Sequence, residues 1–152
     1  MGLGFLVGSK GEFEIMVRRA RLEDGETVLS LAKDFATSFV IEETAFRVSF
    51  EAMLNDPHVY LAVEENEREI RGYVLAFKHN TFYANGYVAW VEEITVEETQ
   101  RRQGLGTALM HSVEEWAANC DCKLVALATR RAANFYEATG YQASATYFRK
   151  SL

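Results

Sequence analysis

Apolar residues return at two different periods along this chain, and the switches between periods mark its elements. Phe13, Ile15 and Val17 alternate with charged and other residues, the two-residue period of a strand. After Asp24-Gly25 the spacing lengthens. Val28, Leu31, Ala32, Phe35 and Phe39 share one helical face, and Phe46, Phe50, Met53 and Leu54 share another, which Asn55-Asp56-Pro57 ends. Val59 to Val63 reads as a short strand, the charged run Glu64 to Glu69 as a turn, and Ile70 to Phe77 as the next strand. Gly72 inside that strand marks a bulge or a close backbone approach. Residues 78–86 read as a loop turned by Asn85-Gly86, and Tyr87 to Val96 as a long strand carrying Glu92 and Glu93. A helix follows from Gly104, with Leu105, Leu109, Val113 and Trp116 on one stripe. Lys123 to Ala128 predicts a strand, about Arg131 to Thr139 a helix ending at Gly140, and Tyr147 to Lys150 a last strand. The order β-α-α-β-β-β-α-β-α-β predicts a mixed α/β domain over 13–152. Residues 1–12 read as a flexible extension before it.

Composition narrows the partners. The 152 residues carry a net charge of −6, which argues against nucleic-acid binding and mildly favours a cationic substrate. No run approaches the roughly 20 apolar residues of a membrane span. The opening Met1 to Gly8 is too short and glycine-rich for a secretory leader, so a cytoplasmic location is expected. Cys120 and Cys122 stand alone, and His58, His79 and His111 are scattered, so no metal site is expected.

The segment Arg101-Arg102-Gln103-Gly104-Leu105-Gly106-Thr107 lies between a strand and an amphipathic helix. A helix start offers unpaired N–H groups and the positive end of the helix dipole, and its glycines let an anion come close. The chain is acidic overall, so local donors would have to hold that anion. The segment lacks the Lys-Ser/Thr pair of a Walker loop and the spacing of a dinucleotide fingerprint.

Trp90-Val91-Glu92-Glu93-Ile94-Thr95-Val96, followed by Arg101-Arg102-Gln103-Gly104-Leu105-Gly106 and Leu109, resembles the acyl-CoA-binding motif of the GNAT N-acetyltransferases. Ala132 to Tyr141 resembles the second motif of the same superfamily, in the expected order and separation. The resemblance covers nearly the whole chain from residue 13. It implies an α/β fold with a central, mostly antiparallel, splayed sheet flanked by helices, and acetyl-CoA as co-substrate. Backbone groups of Ile94, Thr95 and Val96 would pair with the pantetheine arm, much as an added strand does. The loop of Arg101, Arg102, Gln103, Gly104, Leu105, Gly106 and Thr107 would hold the pyrophosphate.

Tyr136 matches the tyrosine that protonates the departing thiolate in many members. Glu93 or Glu92 would supply the base, since a strand sends one of two neighbours toward the cleft. A further cofactor contact that many members make through Asn falls here on Thr129, with Asn134 nearby in another helical phase. Phe39, Val40 and Ile41 fall where members shape the amine pocket. The implied reaction is direct acetyl transfer to a primary amine, on a small molecule such as a polyamine or aminoglycoside, or on a protein. A non-catalytic acyl-CoA sensor of the same fold is the second reading. The last strand, 145–150, offers an edge for a homodimer.

Overall fold

Two tight turns build the centre of the sheet. β3 (Val59–Asn66) turns into β4 (Glu69–Thr81) through Glu67 and Arg68, at φ 48° and 69°, the two-residue connection whose twist matches an antiparallel pair. β4 returns through residues 82–85 into β5 (Gly86–Val96), with Asn85 at φ 60°. Thr81 Oγ1 ties that turn, donating to Gly86 O at 2.8 Å and accepting from Ala84 N–H at 3.3 Å. The computed structural model describes the backbone of residues 5–7 and residues 14–152.

Around this meander lie β1 (Phe5–Val7), β2 (Ile15–Arg19) and β6 (Val125–Leu127), in the sheet order β1-β2-β3-β4-β5-β6. Every pairing is antiparallel except that of β6, which runs parallel to β5. Of the extension expected over 1–12, Phe5–Val7 is a strand paired with β2. The remainder of that extension, and Phe13, lie outside the described residues.

α1 (Gly25–Phe35) and α2 (Glu43–Leu54) cover one face of the sheet. α3 (Leu105–Asn119) and α4 (Ala133–Ala138) cover the other. The alternation of strand side chains divides the core accordingly. Val59, Leu61, Val63, Tyr73 and Leu75 pack with Val28, Leu31, Ala32 and Phe50 of α1 and α2. Tyr60, Ala62, Val74, Ala76, Ala89 and Val91 pack with Leu109, Val113 and Trp116 of α3 and Tyr136 of α4. Among the described residues no helix is long and apolar enough to cross a membrane.

Four expectations are corrected. The charged run 64–69 is not all turn: β3 extends to Asn66 because the fully buried Glu64 is neutralised by Arg71 of β4. Arg71 Nε donates to Glu64 Oε2 at 2.8 Å, and Arg71 is the extra residue of a bulge, since Glu64 pairs with Gly72 and Glu65 with Ile70. Residues 78–81 are not loop but strand, paired with 86–89, which puts His79 on β4. Phe39 lies beyond the end of α1 and is exposed.

Finally, residues 141–152 contain no strand. Tyr147 and Phe148 are neighbours and both exposed, so this stretch has no alternating apolar face to bury. Instead the Tyr147 ring stacks on Trp90, with centroids 6.4 Å apart, and Arg149 Nη1 donates to Ser38 Oγ at 3.2 Å.

Candidate active site

The parallel pair β5–β6 is short. Ala89, Trp90 and Val91 face Val125, Ala126 and Leu127, and β6 then stops. Among the described residues, 92–96 of β5 have no strand on that edge, while β4 pairs with 93–96 on the other. A gap therefore opens in the sheet beside Glu93, Ile94, Thr95 and Val96, with unpaired backbone groups along it. On the opposite edge of β5, Gly72 of β4 permits a close fit: a Cβ there would stand 2.8 Å from Thr95 O and 3.3 Å from Val96 Cα. Arg101 reaches back from the following loop, its Nε 3.4 Å from Val96 O.

That loop enters α3 by two left-handed residues, Arg102 at φ 67° and Gly104 at φ 83°. No side chain caps the helix. Ala108 N–H bonds back to Gly104 O at 3.0 Å, so the N–H groups of Leu105, Gly106 and Thr107 lack an intrahelical partner. Arg101, Arg102 and Gln103 are exposed around them. Uncapped donors, the positive helix end and two guanidinium groups suit a diphosphate. The open β5 edge suits an amide-bearing arm.

Glu92 and Glu93 owe their placement to one irregularity. Leu75 pairs with Glu93 but Ala76 with Val91, so Glu92 is an extra residue in β5. Without it, Glu93 would share the α3 face with Ala89 and Val91, because strand side chains alternate. The bulge turns Glu93 to the α1–α2 face and sends Ile94 and Val96 to pack against the α3-side core. Glu92 is exposed and accepts from Trp90 Nε1 at 2.9 Å. Glu93 is half-buried and accepts from the Tyr73 hydroxyl on Oε1 at 2.9 Å. Burial pushes the Glu93 carboxyl above the usual carboxylate range and nearby Glu92 adds to this, while the Tyr73 hydrogen bond pulls the other way.

Tyr136 sits on α4 with 8% of its surface exposed, edge-on to Phe135 and Tyr141 at centroid separations of 5.0 and 5.8 Å. Burial raises its phenol, which therefore stays protonated and able to donate. Tyr136 belongs to the α3-side core and Glu93 to the α1–α2 side, so the two flank the sheet from opposite faces. Thr129 Oγ1 accepts from Ala132 N–H at 3.1 Å and so secures the entry to α4, and Asn134 is exposed on α4. His79 and His111 are exposed. Cys120 and Cys122 are half-buried after α3, and burial raises the Cys122 thiol, which disfavours a thiolate nucleophile.

Sequence reasoning missed Tyr73 and the contacts of the C-terminal segment. Tyr73 looks like one more apolar strand residue until the register is known. A cleft of about 880 Å³ opens between α1 and the β3–β4 turn but includes none of the predicted site residues. Its buried charge, Asp24, is already bonded to the partly buried Arg18 at 2.8 Å. Among the described residues no group of three or more His, Cys, Asp and Glu is placed to hold a metal.

Residues 26–141 match the model of the acetyltransferase (GNAT) family. The chain is 30% identical over 141 residues to an aminoalkylphosphonate N-acetyltransferase of Salmonella typhimurium, covering 90% of each chain. Its fold matches that of glucosamine-6-phosphate N-acetyltransferase from Arabidopsis thaliana, with a TM-score of 0.81 at 17% identity, over 90% of this chain and 97% of that one. It also matches a predicted acetyltransferase from Clostridium acetobutylicum, described with acetyl-CoA, with a TM-score of 0.77 at 15% identity, over 90% and 96%. The chain belongs to the GNAT acetyltransferase family. It is accordingly an acyltransferase, of a fold whose members use acetyl-CoA.

Proposed function

We propose that this enzyme transfers the acetyl group of acetyl-CoA directly to the nitrogen of a primary amine. The observation that carries the reading is the gap beside residues 92–96, bordered by an uncapped helix start and flanked by a carboxylate and a phenol. Backbone groups of Ile94 and Val96 would hold the pantetheine amides, and the N–H groups from Gly104 to Thr107, with Arg101 and Arg102, the diphosphate. When bound, acetyl-CoA supplies an activated acyl thioester.

The chain's own residues handle the protons. An alkylamine with pKa ~10.4 is neutral in only about one molecule in a thousand at pH 7.4, so a base is needed. Glu93 takes that role over Glu92: its carboxyl is raised above the usual carboxylate range by burial and lies within the fold, whereas Glu92 is exposed and bonded to Trp90. Tyr136 donates its hydroxyl proton to the leaving sulfur. No covalent enzyme species is required.

The acceptor side is the α1–α2 face, where Trp90 carries Tyr147 and where Arg149 meets Ser38 of the α1–α2 connection. A guanidinium at that rim suits an acceptor bearing an anionic group as well as an amine. This agrees with the activity named for the Salmonella relative. With this reading go a single domain, a cytoplasmic location where acetyl-CoA is available, and a homodimer, for which light scattering is the test.

Thiol release from acetyl-CoA, measured against aminoalkylphosphonates, polyamines, aminoglycosides and peptide amines, tests it. Turnover with one amine class is expected, with Tyr136→Phe lowering kcat about 10- to 10³-fold. Binding of acetyl-CoA without turnover on any amine would leave a sensor. An unchanged kcat in Tyr136→Phe would remove that residue from the reaction.

A further inference from the structure

We propose that Tyr73 is a positioning residue for the reaction: its hydroxyl holds one oxygen of Glu93 and presents the other to the ammonium of the acceptor. The proposal rests on the reading of Glu93 as the base.

The geometry begins with the register. Glu93 stands opposite Leu75, and Tyr73 lies two residues before Leu75 on the same face of β4, so Tyr73 and Glu93 are diagonal neighbours across the pair. That separation suits an aromatic side chain, and the hydroxyl closes it with a 2.9 Å bond to Oε1. The bulge at Glu92 creates this neighbourhood, since it alone brings Glu93 to the Tyr73 face. Among the described residues, Glu93 Oε2 has no hydrogen-bond partner, and no buried polar side-chain atom is left unsatisfied.

Packing alone does not call for a tyrosine here. Tyr73 is 2% exposed, in an apolar layer with Val63 and Leu75. Carrying a hydroxyl into that layer is unfavourable unless it is bonded, and Glu93 is the partner present. Burial, followed by the charge of Glu93, pushes the phenol above its usual range, so it remains a donor throughout the working pH. A donor aimed at the carboxylate favours its charged form and opposes the effect of burial. The other charged group acting on Glu93 is Glu92 of its own strand. The core residues of α1 and α2 on this face, Val28, Leu31, Ala32 and Phe50, are apolar. Tyr73 therefore fixes both the direction in which Glu93 points and the pH at which it becomes a base.

The test follows the Glu93 carboxyl directly, by 13C NMR titration of the folded protein in wild type and Tyr73→Phe. The kcat–pH profile is recorded alongside. In Tyr73→Phe the carboxyl midpoint should rise by about one pH unit, because a bond to the charged form is lost. The acid limb of kcat should move by the same amount, with KM for acetyl-CoA unchanged.

A second measurement needs no change at position 73. The Tyr73 ring carbon bearing the hydroxyl should shift at the Glu93 midpoint in the wild type and stay flat in Glu93→Gln; a flat trace in the wild type overturns the proposal. If Glu93→Gln loses the acid limb while Tyr73→Phe keeps the wild-type midpoint and limb, the Tyr73 proposal fails alone. If Glu93→Gln keeps the limb but Tyr73→Phe still moves the carboxyl midpoint, the general-base reading fails and Tyr73 remains the residue that orients Glu93.

Discussion

Two glycines two residues apart should respond to alanine in opposite ways. Gly104 holds φ 83°, and a Cβ there would find room, its nearest neighbour being Ile15 Cδ1 at 3.8 Å. The cost is in the backbone: an L-residue in the left-handed region loses about 1–2 kcal/mol. A stiffer unfolded chain returns about 0.4–1 kcal/mol. The net loss for Gly104→Ala is about 1 kcal/mol, or roughly 2–4 °C in Tm at this size. Gly106 lies inside α3 with no such strain, and its Cβ would touch Phe135 Cζ at 3.6 Å, an ordinary contact on the side of α4. Gly106→Ala should gain about 0.5–1 kcal/mol of helix propensity.

Function should divide differently from stability. Relaxing residue 104 out of the left-handed region moves the N–H row of Leu105 to Thr107 that would hold the diphosphate. Losing one charge-assisted bond there, at about 1.5–3 kcal/mol, weakens acetyl-CoA about 10- to 100-fold. Gly106→Ala leaves those donors facing outward and should change affinity less than about threefold. Gly104→Asn separates strain from bulk, because Asn tolerates the left-handed region, and it should recover much of the lost stability. Apo melting curves and calorimetric titration with acetyl-CoA measure both effects. Wild-type affinity in Gly104→Ala would refute the assignment of this loop to the diphosphate.

Two stability predictions follow from the charges. Glu64 and Arg71 are 0% and 3% exposed, so Glu64→Gln should cost about 3–5 kcal/mol by stranding a buried guanidinium, while Glu64→Met with Arg71→Met should recover most of it; equal losses in denaturant unfolding would contradict the pairing. Burial raises the Asp24 carboxyl, but the bonds from Arg18 and from the Arg21 backbone outweigh burial and leave it below its usual range; the Arg18 bond does the same for Glu65. These lowered carboxyls contribute stability that is present above their unfolded values, about 3.9 for Asp and about 4.3 for Glu, and is lost as pH falls through the folded values. The Tm gap between wild type and Asp24→Asn should therefore close as pH drops from about 5 toward 3. A gap independent of pH would contradict the ion pair.

How much was legible depended on whether a signal was local. α1, α2 and α3 follow apolar stripes, Asn55-Asp56-Pro57 ends α2 as expected, and the Gly104 helix start lies where the motif puts it. The strand 64–66 was hidden because a run of charges reads as a solvated turn, and the partner of Glu64, Arg71, stands on the next strand. The choice between Glu92 and Glu93 could not be read from alternation, because one extra residue in β5 reverses the phase after Val91. Tyr73 gave no signal for the same reason. The C-terminal stretch looked like a strand from composition, but its aromatics are neighbours rather than alternating, and it folds as a segment anchored at Trp90 and Ser38.

The most direct test of the whole account is a thermal-melt titration with acetyl-CoA, using ATP and NAD as controls. At about 100 times Kd the ligand should stabilise the protein by about 2.7 kcal/mol, a rise of roughly 5–10 °C, with no comparable shift from either control. No shift at millimolar acetyl-CoA would mean that the β5 gap and the α3 start do not form a coenzyme site, and the proposed reaction would fall with them.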